Sequence, residues 1–204
     1  MNTYLQSMKN ALSSYYTAAK TYEEKAERAK QLYQADVAAN EIKKLDEELE
    51  AQKWSAIDSI TEAKDKAVEA ARRWGSLDGN KIDDGDMKLL EFDLSPEQFA
   101  AMVERHKKNG TMCFILFQCG NAHNRKHEKD GEFDLANHYD TSSIPTAEKK
   151  IDAYTKFAES AIDTVKNIRG IGLGQGVSSP ILQNIVKTFG EPNQLNYNLL
   201  EMID

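Results

Sequence analysis

Both cysteines of the chain and two of its four histidines fall in one stretch, CFILFQCGNAHNRKH, residues 113–127. On a helix, Cys119, His123 and His127 stand at i, i+4 and i+8 and share a face. Imidazoles four residues apart chelate zinc, and a thiolate is a natural third ligand. Cys119, His123 and His127 are therefore the candidate metal ligands, with zinc as the ion. Three features weigh against them. No Glu stands between the histidines, so the H-E-x-x-H pattern of zinc proteases is absent. The cysteines are spaced C-x5-C, not as the C-x2-C knuckle of structural zinc sites. Gly120 stands where a helix can end. The plainer expectation is a core face of Cys113, Ile115, Leu116, Phe117 and Cys119, followed by a solvated polar end. Free Cys commonly packs as a small hydrophobe.

Two other stretches invite chemistry. SLDGNKIDDGDMKLLE, residues 76–91, has the Asp and Gly of a calcium loop. With Gly85 as the invariant glycine, however, Ile82 takes position three of the loop, where a carboxylate is required. Asp83, Asp84 and Asp86 can form a loose cation site, but an acidic turn is the simpler reading. GIGLGQG, residues 170–176, fits neither G-x-G-x-x-G nor a phosphate-binding loop, and it follows a helical pattern, not a strand. It reads as a hinge. His106 and His138 are isolated in the sequence and G-x-S-x-G is absent, so no catalytic residue and no organic cofactor is expected.

The bulk chemistry narrows the partners. Net charge is −7 with a pI near 5.2, and basic residues cluster only in pairs such as Lys107-Lys108 and Arg125-Lys126. Direct binding to a nucleic-acid backbone is not expected. The longest apolar run, Met112 to Phe117, is far short of a membrane span, and Met1 to Lys9 has no signal-peptide core. The expected setting is the reducing cytoplasm, since two cysteines make no disulfide scaffold.

The elements that must position these residues read as helices throughout. From Met1 to Trp74 there is neither Gly nor Pro. Leu5, Met8, Leu12, Tyr15, Ala19, Tyr22, Ala26, Ala29 and Tyr33 recur in steps of three and four, the seam of a coiled coil or helical hairpin. Leu5, Met8, Leu12, Tyr15, Tyr22 and Tyr33 are its candidate interaction residues. The phase slips within QADVAANE, residues 34–41, as at a stutter or at a turn capped by Asp36 or Asn40. It resumes as Ile42, Leu45, Leu49 and again as Ile57, Ile60, Ala63, Ala67, Ala71, Trp74.

Residues 75–95 read as an acidic loop. In LSPEQFAAMVERHKKNG, Ser95, Pro96 and Gln98 set up a capping box, and Phe99, Met102, Val103 and His106 share a face. Gly110 reads as the stop of that helix and Thr111 as the cap of the next. Residues 128–145 read as a polar loop. A helix from about Thr146 to Arg169 carries Ile151, Tyr154, Ala158, Ala161, Val165 and Ile168 on one seam. A further helix is expected in SPILQNIVKTFG, residues 179–190. The fold class is all-α, in three regions: 1–74 long and helical, 75–145 a central helical module, and 146–204 a helical arm with its hinge at 170–176.

Lys88, Leu89, Leu90, Leu94, Ser95, Glu97, Lys108, Asn109, Thr111 and Met112 carry a resemblance within residues 86–116. That segment resembles a module of uncharacterised tailed-phage and prophage proteins of Gram-positive bacteria, from the virion-structure region near the head genes. The resemblance implies a phage or prophage protein with long Ala/Glu/Lys-rich helices and brings no catalytic residues. The expectation is a non-enzymatic helical interaction protein acting in virion morphogenesis, with a phage structural protein or a second copy of itself as partner. Two alternatives stand beside it. One is a phage inhibitor of a host defence protein, its acidic surface imitating nucleic acid. The other is a zinc-binding protein built on Cys119, His123 and His127.

Overall fold

The computed structural model describes residues 3–129, 132–133 and 137–167. The described residues form six α-helices: α1 (Thr3–Leu32), α2 (Ala35–Trp74), α3 (Asp84–Leu89), α4 (Pro96–His106), α5 (Gly110–His127) and α6 (Ala147–Asn167). A 3-10 turn at Gly79–Lys81 precedes α3. The antiparallel pair β1 (Glu128–Lys129) and β2 (Glu132–Phe133) follows α5. The all-α class holds. The GIGLGQG hinge, the expected helix at 179–190 and Ile168 lie outside the described residues.

The chain divides into two compact units, and neither is continuous in sequence. Among the described residues, one contains 3–68 and 153–167, and the other 69–152. The divisions between the units fall at 68 and 152. Both lie within helices, α2 and α6, which continue unbroken through those positions. Outer turns of both helices contribute to the second unit.

In the first unit, α1 and α2 are joined at Tyr33–Gln34, and Tyr22 Oη donates to Asp46 Oδ1 at 2.8 Å across them. These two residues stand at matching distances either side of the turn, so the helices run antiparallel. At 1.5 Å per residue α1 extends about 45 Å and α2 about 60 Å. The phase slip at 34–41 is thus a turn and not a stutter. Asp36 and Asn40 lie inside α2, not at its cap, and Asp36 places a negative charge in the first turn, where the helix dipole favours it.

Leu5, Met8, Leu12 and Tyr15 are buried, together with Ala19, Ala26 and Ala29. Opposite them α2 buries Leu45, Leu49, Ile57, Ile60, Ala63 and Ala67. From Ala153 onward α6 joins this unit, burying Tyr154, Ala158, Ala161 and Val165, and Tyr154 meets Tyr4 edge-to-face at 6.4 Å. The seam is therefore filled from within the chain. Each large aliphatic side chain removed from water contributes roughly 1.5–3 kcal/mol before entropy.

The second unit gathers Phe99, Met102 and Val103 of α4 with Cys113 and Leu116 of α5 around Tyr139 and Ile144. The capping box of α4 forms as expected: Gln98 N–H donates to Ser95 Oγ, and Ser95 N–H to Gln98 Oε1. The next boundary differs from expectation. Asn109 is the cap of α5, accepting from Met112 N–H, while Gly110 opens the helix and Thr111 lies within it. Sterics account for Gly110, because a Cβ there would stand 1.9 Å from the Trp74 carbonyl oxygen. The acidic loop holds more structure than its composition suggests, since Asp78 caps the 3-10 turn and Asp83 caps α3.

Candidate functional site

Helix α5 runs unbroken through Gly120 to His127. Gly120 is no helix stop. A Cβ there would meet Thr141 Cγ2 at 2.6 Å and Phe99 Cζ at 2.9 Å, so the glycine admits close packing. Below it rings stack in a column. Phe99 lies on Tyr139 at 4.2 Å, Tyr139 on His123 at 3.8 Å, and His123 on His127 at 4.3 Å. Tyr139 is held in place by donating its Oη–H to the Leu94 carbonyl and by a two-way amide pairing with Asn124.

This column occupies the proposed zinc ligands differently from the sequence expectation. His123 Nε2 lies 2.9 Å from the Asn137 carbonyl, which accepts, so that nitrogen carries a proton, and the donor atoms of Cys119, His123 and His127 do not gather within 4.8 Å of one another. Burial pushes the Cys119 thiol up, away from the thiolate that zinc requires. Cys119, His123 and His127 share the helix, and what joins the two histidines is a tilted ring contact. Cys113 is core, its thiol pushed up to about 11 by burial, with the Lys150 charge opposing.

Among the described residues, one group of three ligand-type side chains has its donor atoms within 4.8 Å of one another: Asp83, Asp86 and His106. Asp83 precedes α3, and its Oδ1 accepts from the N–H groups of Gly85 and Asp86, each at 3.0 Å. The Asp86 N–H bond chiefly holds the Asp83 carboxyl below the usual carboxylate range. The Gly85 N–H and the nearby His106 and Arg105 act in the same direction, against partial desolvation. Asp86 stands in the first turn of α3 and is only 4% exposed. Its carboxylate accepts from Arg105 Nη1 at 2.7 and 2.8 Å, and its Oδ2 lies 2.6 Å from His106 Nε2.

The second unit is built so that these groups meet. His106 is the last residue of α4, on the face of Phe99, Met102 and Val103, and is 7% exposed. Its carbonyl accepts from Asn109 N–H at 2.7 Å and from Cys113 Sγ at 3.3 Å, which ties the end of α4 to α5. Asn109 Nδ2 donates to the Lys81 carbonyl, and Asp83 N–H points to Met112 Sδ, so the acidic segment is stitched to α5. The Arg105 guanidinium, with the His106 imidazole beside it, compensates the buried Asp86 carboxylate, which alone would be costly to desolvate.

The sequence left His106 isolated, because its partner lies twenty residues away. The available signal was a histidine on an otherwise apolar helix face. Of the loose trio Asp83, Asp84 and Asp86, the structure brings Asp83 and Asp86 together and leaves Asp84 outside the group.

A separate cleft of about 350 Å³ is walled by Trp74, Phe114, Phe117 and Pro145, with Lys149 at its edge. Lys149 Nζ donates to the carbonyls of Ser142 and Ile144, and burial lowers its pKa. Among the described residues no helix is long and apolar enough to cross a membrane. No protein-family model, no curated protein and no solved structure matches the chain.

Proposed function

We propose that this chain is a non-enzymatic helical interaction protein, serving phage or prophage virion morphogenesis. One observation carries the interaction reading: the turn of the helical hairpin is apolar and open. Leu32, Tyr33 and Val37 are 62%, 52% and 47% exposed there, within six residues. Clustered exposed apolar side chains at the end of two long helices are the kind of surface that docks on another protein. The expected seam is unsuited to that task, since Leu5, Met8, Leu12 and Tyr15 are already buried by the chain itself. Of the expected interaction residues, Tyr33 stays on the surface. The phage assignment rests on the resemblance of residues 86–116.

The double variant Leu32→Glu, Tyr33→Glu tests this reading. Both positions are exposed, so its melting temperature should stay near wild type, as for surface changes worth within about 0.5 kcal/mol. Affinity capture from phage-infected cells should recover virion proteins with the wild type and lose them with the double variant. Equal capture by both proteins removes the tip from the function. Capture of a basic host protein in a salt-sensitive complex favours the inhibitor reading instead.

A further inference from the structure

We propose that Asp83, Asp86 and His106 form a binding site for a zinc-class divalent metal ion, which enters by displacing the Arg105 guanidinium. The three donor atoms already lie within 4.8 Å of one another, and two of the side chains are more than nine-tenths buried. Metal ligands are held in place by their surroundings, and each of these three is. Asp83 is oriented by two backbone N–H groups on Oδ1, and its Oδ2 has no partner among the described residues. Asp86 is fixed by α3. His106 is fixed by α4 and by the two bonds to its carbonyl.

The Asp86 carboxylate is already covered by a cation that can leave. Asp86 is buried, yet the Arg105 side chain that neutralises it is 59% exposed. Swinging Arg105 into water uncovers the Asp86 carboxylate, and the arriving ion replaces its charge. The His106 Nε2 proton, which faces Asp86 Oδ2 at 2.6 Å, passes to solvent when the metal takes that nitrogen.

The donor set selects the ion. One imidazole nitrogen and two carboxylates suit zinc and its transition-metal neighbours, whereas calcium and magnesium favour all-oxygen shells. Three protein ligands leave a fourth position for water. The bound ion would join the cap of α3 to the end of α4 and free the Arg105 side chain.

Isothermal titration of zinc into the untagged, chelator-treated full chain tests the site. One zinc per chain is expected. Asp83→Asn and His106→Gln should abolish binding. Asparagine still caps a helix, so Asp83→Asn should keep the metal-free melting temperature, and this separates lost ligation from lost folding. Arg105→Ala should tighten zinc about fivefold, the weight of a partly exposed ion pair. Cobalt in the same site should show d–d bands without a thiolate charge-transfer band. Two results overturn the proposal. One is no zinc uptake by either the wild type or Arg105→Ala. The other is uptake that survives Asp83→Asn and His106→Gln, with a thiolate band that disappears in Cys119→Ser.

Discussion

Single residues show where packing overrides propensity. Gly120 sits inside α5, where Ala would favour the helix by about 1 kcal/mol. Its missing Cβ leaves room for Thr141 Cγ2 and Phe99 Cζ. Phe99 cannot retreat, because Tyr139 stacks on it at 4.2 Å. Gly120→Ala should therefore destabilise despite the propensity gain, with about 1–3 kcal/mol of overpacking against it. Denaturant unfolding measures this. Thr141→Ser in the same chain should restore part of the loss, because it removes Cγ2 and keeps the hydroxyl that donates to Asn121. No recovery would move the strain to Phe99.

Cys113 links burial to pH. Its thiol is pushed from 9.0 to about 11 in the folded chain. Between those values the unfolded thiol has lost its proton while the folded one keeps it, so the folded state binds more protons. Stability from this group is full below pH 9 and declines as pH rises through 11. Cys113→Ala should start less stable, having lost core contacts, but should fall less steeply over that interval. Parallel slopes in melting temperature against pH would assign the alkaline loss to other groups.

At the scale of elements, what was legible depended on whether a local pattern decided the outcome. Ser95, Pro96 and Gln98 announce the start of α4 through chemistry confined to four residues, and the cap forms as read. The boundary at 109–111 defeats the same logic. Gly110 resembles a helix stop, but the closeness of the Trp74 carbonyl decides its identity, and that contact spans many residues of sequence. Asn109 then takes the capping role, accepting from Met112 N–H and donating to Lys81 O at 2.6 Å.

Asn109→Ala should cost about 1–2 kcal/mol, because a cap and a long-range hydrogen bond go together. Amide exchange locates the effect. The Met112 N–H should lose protection while the α4 amides that capping by Ser95 supports stay slow. Uniform loss of protection would mean global destabilisation instead. The candidate metal cluster was hidden for the same reason as the Gly110 contact. Asp86 and His106 each fit a local role, one in an acidic loop and the other on a helix face. Only the fold sets them 2.6 Å apart.

At the scale of the whole molecule, the question is which apolar surface the chain keeps for itself. A step of three and four residues identifies a helical seam but cannot say whether its partner belongs to the same chain. Here the turn at Tyr33–Gln34 resolves it, because α2 folds back and Tyr22 reaches Asp46. Leu12 is 7% exposed and Tyr15 1%. Leu12→Glu should therefore place a carboxylate inside the chain's own core. Such a group either stays charged at large cost or takes up a proton, and either outcome consumes several kcal/mol. Domains hold only about 5–15 kcal/mol in total. The variant should lose helical circular dichroism and its cooperative melt, at any protein concentration. An oligomer interface behaves differently: its mutant stays folded, and only the sedimentation coefficient falls. Leu12→Glu that dissociates into well-folded monomers would transfer the seam from the core to an interface, and would make the open apolar tip secondary.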